Sequence, residues 1–110
     1  MKKGEIWLAS LDPSQDKEQK GNRPVLIISG DAMNDYLGLV IICPLTSKLK
    51  NFIGNVILEP SIENGLFVTS EVLVFHIRSI SQKRLISKLG KVTETQIISI
   101  VENLNKILRF

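Results

Sequence analysis

The sequence predicts a mainly β fold, a small and strongly curved barrel or half-barrel closed by one C-terminal α-helix. The apolar runs are short and β-branched, and Gly, Pro, Asn or Asp separate them. Only the last stretch, from Thr93 onward, repeats its apolar residues at helical spacing. With 110 residues, 44% of them hydrophobic and 23% charged, the chain is expected to form a single domain over 1–110, with a filled core and no room for a second catalytic unit.

Glu5 to Leu11 opens the sheet, with Trp7, Ala9 and Leu11 on one face. A polar loop follows from Asp12 to Asn22. Pro24 to Ser29 and Leu39 to Leu45 are near-continuous apolar runs, the pattern of strands covered on both faces. Between them Gly30, Asp31 and Asn34 mark a turn or a short helical excursion. Asn55 to Leu58, Leu66 to Ser70 and Val72 to Ile80 supply further short strands, broken by Pro60 and Asn64-Gly65. In the terminal helix Thr93 is expected as the N-cap, with Gln96 completing a capping box. Ile97, Val101, Leu104 and Leu108 form its stripe, and Ile98, Ile100 and Ile107 widen it. Burial of that stripe on the barrel would close an open edge or end.

Composition excludes several classes of protein. The single cysteine, Cys43, rules out an internal disulfide framework and any multi-cysteine zinc site. Lys2 and Lys3 are followed at once by Gly4 and Glu5, and no apolar run reaches the roughly 18 residues of a membrane span, so a soluble, cytoplasmic chain is expected. Fourteen Lys and Arg against eleven Asp and Glu give a net charge of +3. Their distribution is more informative. No acid lies between Val72 and Thr93, where Arg78, Lys83, Arg84, Lys88 and Lys91 all fall, and Lys17, Lys20, Arg23, Lys48 and Lys50 make a second, looser group. Two such groups fit a surface that follows phosphates, and equally two solvated faces.

Two short motifs stand out. The loop of polar residues after Asp12 is longer than a hairpin needs and ends at Arg23-Pro24, where proline stiffens the backbone that presents the guanidinium. A salt bridge from Arg23 to Asp16 or Glu18 is the structural alternative. Pro44-Leu45-Thr46-Ser47 ends the most hydrophobic run in two hydroxyls at the mouth of the barrel, or in a turn whose hydroxyls satisfy local backbone groups.

Gly4-Glu5-Ile6-Trp7, Leu11-Asp12-Pro13, Glu18-Gln19, Gly21-Asn22-Arg23-Pro24-Val25-Leu26, Pro44-Leu45-Thr46-Ser47 and Ile77-Arg78-Ser79-Ile80 with Lys83-Arg84-Leu85 resemble, in order and spacing, the MazF/PemK/Kid family of toxin endoribonucleases. The resemblance spans nearly the whole chain. It implies an SH3-like barrel with a C-terminal helix, a homodimer, and sequence-specific, metal-independent and cofactor-free cleavage of single-stranded RNA, restrained by a cognate antitoxin. Carried over residue by residue, it implies Arg23 and Thr46 as the catalytic pair, with Ser47 alongside; Glu18, from the polar loop, is the candidate for orienting the arginine or accepting a proton. Gln19, Lys20, Ser47, Lys48, His76, Arg78 and Arg84 are the expected RNA contacts. Phe75-His76 depart from the acidic-Gln pair of many relatives, and Leu73 stands where one branch has a catalytic arginine, which favours the Arg23/Thr46 scheme. His76, the single histidine, excludes a two-imidazole acid/base pair within one chain and fits either an RNA contact or a packed side chain. A non-catalytic toxin binding a protein such as gyrase, and an RNA-binding module without catalysis, are the competing readings.

Overall fold

The structure, a computed structural model, describes residues 1–11 and 22–109. The expected loop residues Glu18, Gln19 and Lys20 lie outside them. Seven strands, β1 (Glu5–Ser10), β2 (Asn22–Ile27), β3 (Leu39–Thr46), β4 (Val56–Leu58), β5 (Ser70–Val72), β6 (Arg78–Ser81) and β7 (Leu85–Lys91), form one curled antiparallel sheet in the order β4-β5-β3-β2-β1-β7. β6 also pairs with β3. Among the described residues two α-helices, α1 (Asp31–Leu37) and α2 (Glu94–Arg109), accompany the sheet. The mainly β architecture with a C-terminal helix is therefore as the sequence predicts.

β3 is the spine of the sheet. Its eight residues pair with β2 on one side, and on the other with β6 along Leu39–Ile42 and with β5 at Leu45 and Thr46. Because side chains alternate across a strand, the two faces build two cores. Ile6, Leu26, Cys43, Leu45, Leu58 and Val72 share one face with Ile100 of α2, and Ile97, Leu104 and Ile107 pack against them. Ala9, Leu11, Val25, Ile27, Val40, Ile42 and Ile80 share the other, flanked by Trp7 and Leu85. Burying an aliphatic side chain of this kind contributes about 1.5–3 kcal/mol, so two such clusters supply most of the driving force.

The capping box is present: the Gln96 amide donates to Thr93 Oγ1 at 3.1 Å, and the Thr93 amide donates to Gln96 Oε1 at 2.9 Å. The buried stripe, however, is rotated from the expected one. It centres on Ile100, leaving Ile98 half-exposed and Leu108 largely exposed. Two expected strands also differ. Residues 66–69 are irregular, and pairing begins only at Ser70. The apolar run Val72–Ile80 is not one strand: a 3₁₀ turn over Val74–His76 interrupts it, because the same edge of β3 must receive β5 and then β6. β7, which lacks a regular alternation, was not among the expected strands.

A tight turn seals the outer side of β7. Asn64, 3% exposed, accepts from the Ser61 and Leu66 amides through Oδ1 and donates to the Glu59 carbonyl. The Lys91 amide donates to the Glu63 carbonyl at 2.8 Å. A Cβ on Gly65 would stand 2.0 Å from the Leu89 carbonyl oxygen, and one on Gly90 2.2 Å from that of Glu63, so this backbone contact requires both glycines.

Candidate active site

The β2–β3 register runs Ile27↔Ile42, Leu26↔Cys43, Val25↔Pro44. Continued by two residues, it sets Arg23 opposite Thr46. Arg23 also faces Ala9 of β1, and Thr46 faces Glu71 of β5, which in turn faces Ile57 of β4. A single transverse row thus reads Ala9, Arg23, Thr46, Glu71 across four adjacent strands, on the sheet face of Val25 and Ile42 and opposite the face covered by α2. Pro24 and Pro44, beside this row, carry no backbone N–H and so donate no ladder hydrogen bond.

Arg23 is half-buried, and among the described residues no carboxylate pairs with it. Asp16 and Glu18, its alternative partners, are outside those residues. Thr46 Oγ1 accepts the Lys48 amide at 3.1 Å, so the hydroxyl does make the local turn contact. That contact occupies an acceptor lone pair and leaves the hydroxyl hydrogen to donate elsewhere. Ser47, Lys48 and Lys50 follow, all exposed.

Glu71 is 0% exposed and has four donors around it. The Lys50 and Asn51 amides donate to Oε1 at 2.6 and 2.8 Å. The Phe52 amide and Asn55 Nδ2 donate to Oε2 at 3.3 and 2.7 Å. Burial acts to raise its pKa, but the donors of Asn55, Asn51, Lys50 and Phe52 outweigh it and hold the carboxylate below the ordinary range. Asn55 Oδ1 in turn accepts the Val74 amide at 3.0 Å. Glu71 and Asn55 were not expected from the sequence; a lone acid beside Val72 reads locally as a surface residue.

The basic group of the C-terminal half divides. Arg78, Lys83 and Lys91 are exposed, and so is His76, which resolves its alternative readings against a packed side chain. Arg78 starts β6 opposite Ile42, four residues along β3 from Thr46, or about 13 Å at strand spacing. Arg84 instead donates through Nη1 to the Ser10 carbonyl at 3.3 Å, bracing the end of β1 beside Asn22 and Arg23. Lys88 pairs with Glu5 at 3.1 Å. Glu5 also accepts from the Lys2 amide and the Trp7 indole; burial alone would raise its pKa, but these three partners bring it down to about 2. Among the described residues no three His, Cys, Asp or Glu side chains form a cluster fit for a metal ion, and no helix is long and apolar enough to cross a membrane.

Residues 2–108 match the profile of the PemK-like, MazF-like toxin of type II toxin-antitoxin systems. The chain is 37% identical over 110 residues to endoribonuclease PemK of Escherichia coli, covering 98% of this chain and 82% of that protein. It is 29% identical over 109 residues to endoribonuclease MazF9 of Mycobacterium tuberculosis, covering 94% and 92%. The crystal structure of MazF from Deinococcus radiodurans is similar at a TM-score of 0.82 and 27% identity, over 100% of this chain and 97% of that one. A crystal structure of MazE-MazF from the same organism is similar at a TM-score of 0.82 and 27% identity, over 100% and 96%.

Proposed function

Because the chain belongs to the PemK-like, MazF-like toxin family of type II toxin-antitoxin systems, we propose that it is a sequence-specific endoribonuclease that cuts single-stranded RNA without a metal ion, with Arg23 and Thr46 as its catalytic pair. The observation supporting this pair is their position: a fixed cation and a hydroxyl at adjacent places in one transverse row, at the open end of the two central strands.

The chemistry follows from the residue types. The RNA 2′-OH attacks the adjacent phosphorus, the P–O5′ bond breaks, and the products carry a 2′,3′-cyclic phosphate and a 5′-OH. Negative charge builds on the two non-bridging oxygens as the fifth bond forms. The forked, permanently charged guanidinium of Arg23 holds those oxygens, and the Thr46 hydrogen, directed away from Lys48, adds a bond to one of them. The proton lost by the 2′-OH passes to a base, for which Glu18 is the candidate, and the departing 5′ oxygen takes up a proton. Lys48, Lys50, His76 and Arg78 flank this row as exposed phosphate and base contacts. Two copies of the chain are proposed to share the RNA groove, and an antitoxin with an acidic segment to cover Arg23, in the cytoplasm where messenger RNA is found.

The test is cleavage of a mixed set of single-stranded RNAs in EDTA. Wild type should cut and leave cyclic-phosphate ends, and Arg23→Ala should lose on the order of 100- to 1,000-fold in kcat with its circular dichroism unchanged. An Arg23→Ala protein that cuts like wild type overturns the assignment. A wild type that cuts nothing, with or without magnesium, yet arrests growth would point to a protein target instead.

A further inference from the structure

Glu71 sits next to Thr46 yet has no access to substrate, since it is fully buried and surrounded by donors. A carboxylate removed from water is tolerated only when its lone pairs are filled, and a valine in its place would meet no such demand. What fills them is informative. Three successive backbone amides, at Lys50, Asn51 and Phe52, converge on one carboxylate, and Asn51 takes a left-handed φ of 54°. This is the geometry of an anion nest, occupied by the protein's own side chain.

The contact does not end there. Asn55 donates to Glu71 with its amide nitrogen and accepts from Val74 with its oxygen, and Val74 begins the 3₁₀ turn that carries Phe75 and His76 up to Arg78. One buried acid therefore ties together two segments that have no strand pairing with each other: the loop bearing Lys48 and Lys50, and the turn bearing His76 ahead of Arg78. All four of these side chains are exposed. Both segments leave the sheet beside Thr46, through β3 and through its partner β5.

We propose that Glu71, extended by Asn55, is a positioning residue for RNA: it fixes the Lys48/Lys50 loop and the His76/Arg78 turn at one separation, so that phosphates on either side of the scissile bond meet preset cations. The proposal rests on the endoribonuclease reading above. A free loop would have to be ordered by each RNA it bound, whereas one folded around a carboxylate is ordered in advance. Glu71 acts through the lysines and the turn, and the reacting phosphate never touches it.

The test uses the full chain and, as probe, a 2′-O-methyl copy of a single-stranded RNA whose cut site has been mapped. Binding is measured from low to high salt for wild type, Glu71→Gln, Lys48→Ala/Lys50→Ala and the triple variant. Loss of two phosphate contacts should flatten the slope of log K against log salt by about 1.4. Glu71→Gln should flatten it in the same sense, raise KM about 10-fold with a smaller change in kcat, and cost less in the double-lysine background than in wild type, the remainder being the share carried by the His76/Arg78 turn. Amide exchange at Lys50, Asn51, Phe52 and Val74 should accelerate in the free Glu71→Gln protein. If that variant does not fold, Asn55→Ala, which removes both bonds of the bridge, carries the same measurements. An unchanged salt slope with weakened binding, or an undiminished loss in the lysine background, overturns the proposal alone. A wild type that neither binds nor cuts RNA overturns the endoribonuclease reading and the proposal with it.

Discussion

Replacing Gly90 by alanine places a methyl group where the backbone of the 61–65 turn already lies, at 2.2 Å from the Glu63 carbonyl oxygen and 2.5 Å from the Asn64 carbonyl carbon. Ordinary van der Waals contact begins near 3.4 Å. More than an ångström of separation must therefore be gained between two main-chain segments with no flexible side chain to yield. The turn has to lift from β7. That breaks the Lys91–Glu63 hydrogen bond, worth about 1 kcal/mol, and opens the cover over Leu66 and Leu89, costing about 1.5–3 kcal/mol more. The sum, about 2.5–4 kcal/mol, is a large part of the stability of a domain this size, and at about 5 °C per kcal/mol it corresponds to a fall of about 12–20 °C in Tm. Calorimetry of Gly90→Ala against wild type measures it. Gly30→Ala, with nothing within 4 Å of its new methyl, is the control and should stay within about 1 kcal/mol. A Gly90→Ala protein melting within 4 °C of wild type would refute the claim that the turn bears directly on β7.

In the proposed mechanism the Thr46 hydroxyl acts and its methyl does not, so Thr46→Ser should keep most of the RNA-cleaving activity and Thr46→Val lose about 10- to 100-fold in kcat; single-turnover cleavage separates the two. Glu5 has a lower pKa folded, about 2, than its ordinary 4.5, so the stability it supplies is complete above pH 4.5 and disappears as pH falls toward 2. Allowing for the half-exposed Lys88, this is on the order of 2 kcal/mol; Glu71 acts in the same direction, and urea titrations of wild type and Glu5→Gln between pH 7 and 2.5 should converge at the acid end. Cys43 is fully buried and its thiol is pushed up to about 12, so it should resist alkylation at pH 8 in the native protein and react on unfolding. Thr93→Ala should cost about 1 kcal/mol by removing one half of the capping box.

The parts of the fold legible in the sequence are those whose signal is local. Pro24–Ser29 and Leu39–Leu45 read as central strands because both faces are covered, and α2 announced itself through Thr93 and Gln96. The misreadings come from pairings made at a distance. Val72–Ile80 is apolar enough for a strand, but β3 accepts two partners along one edge, so the chain must turn out at Phe75–Ile77, leaving Phe75 53% exposed. β7 carries register shifts against β1 between Ile6 and Trp7 and between Leu8 and Ala9, and these break the alternation that a strand would otherwise show. Arg23 and Thr46 were legible as motif residues, and their alignment in one row is a property of the β2–β3 register. Glu71 was not legible, because its partners at Lys50, Asn51 and Phe52 are backbone amides, which have no side-chain signature.

The double use of β3 also bears on how such a protein can change. Arg23 and Thr46 project from strands at the centre of the sheet, whereas Lys48, Lys50 and His76 stand on connections that leave it and Arg78 opens β6. On the proposed function, substitutions at these four positions would alter which RNAs are gripped while the central strands, and the proposed catalytic pair they carry, keep their geometry. Target preference would then change at small cost to the fold, because these side chains are exposed and outside both cores.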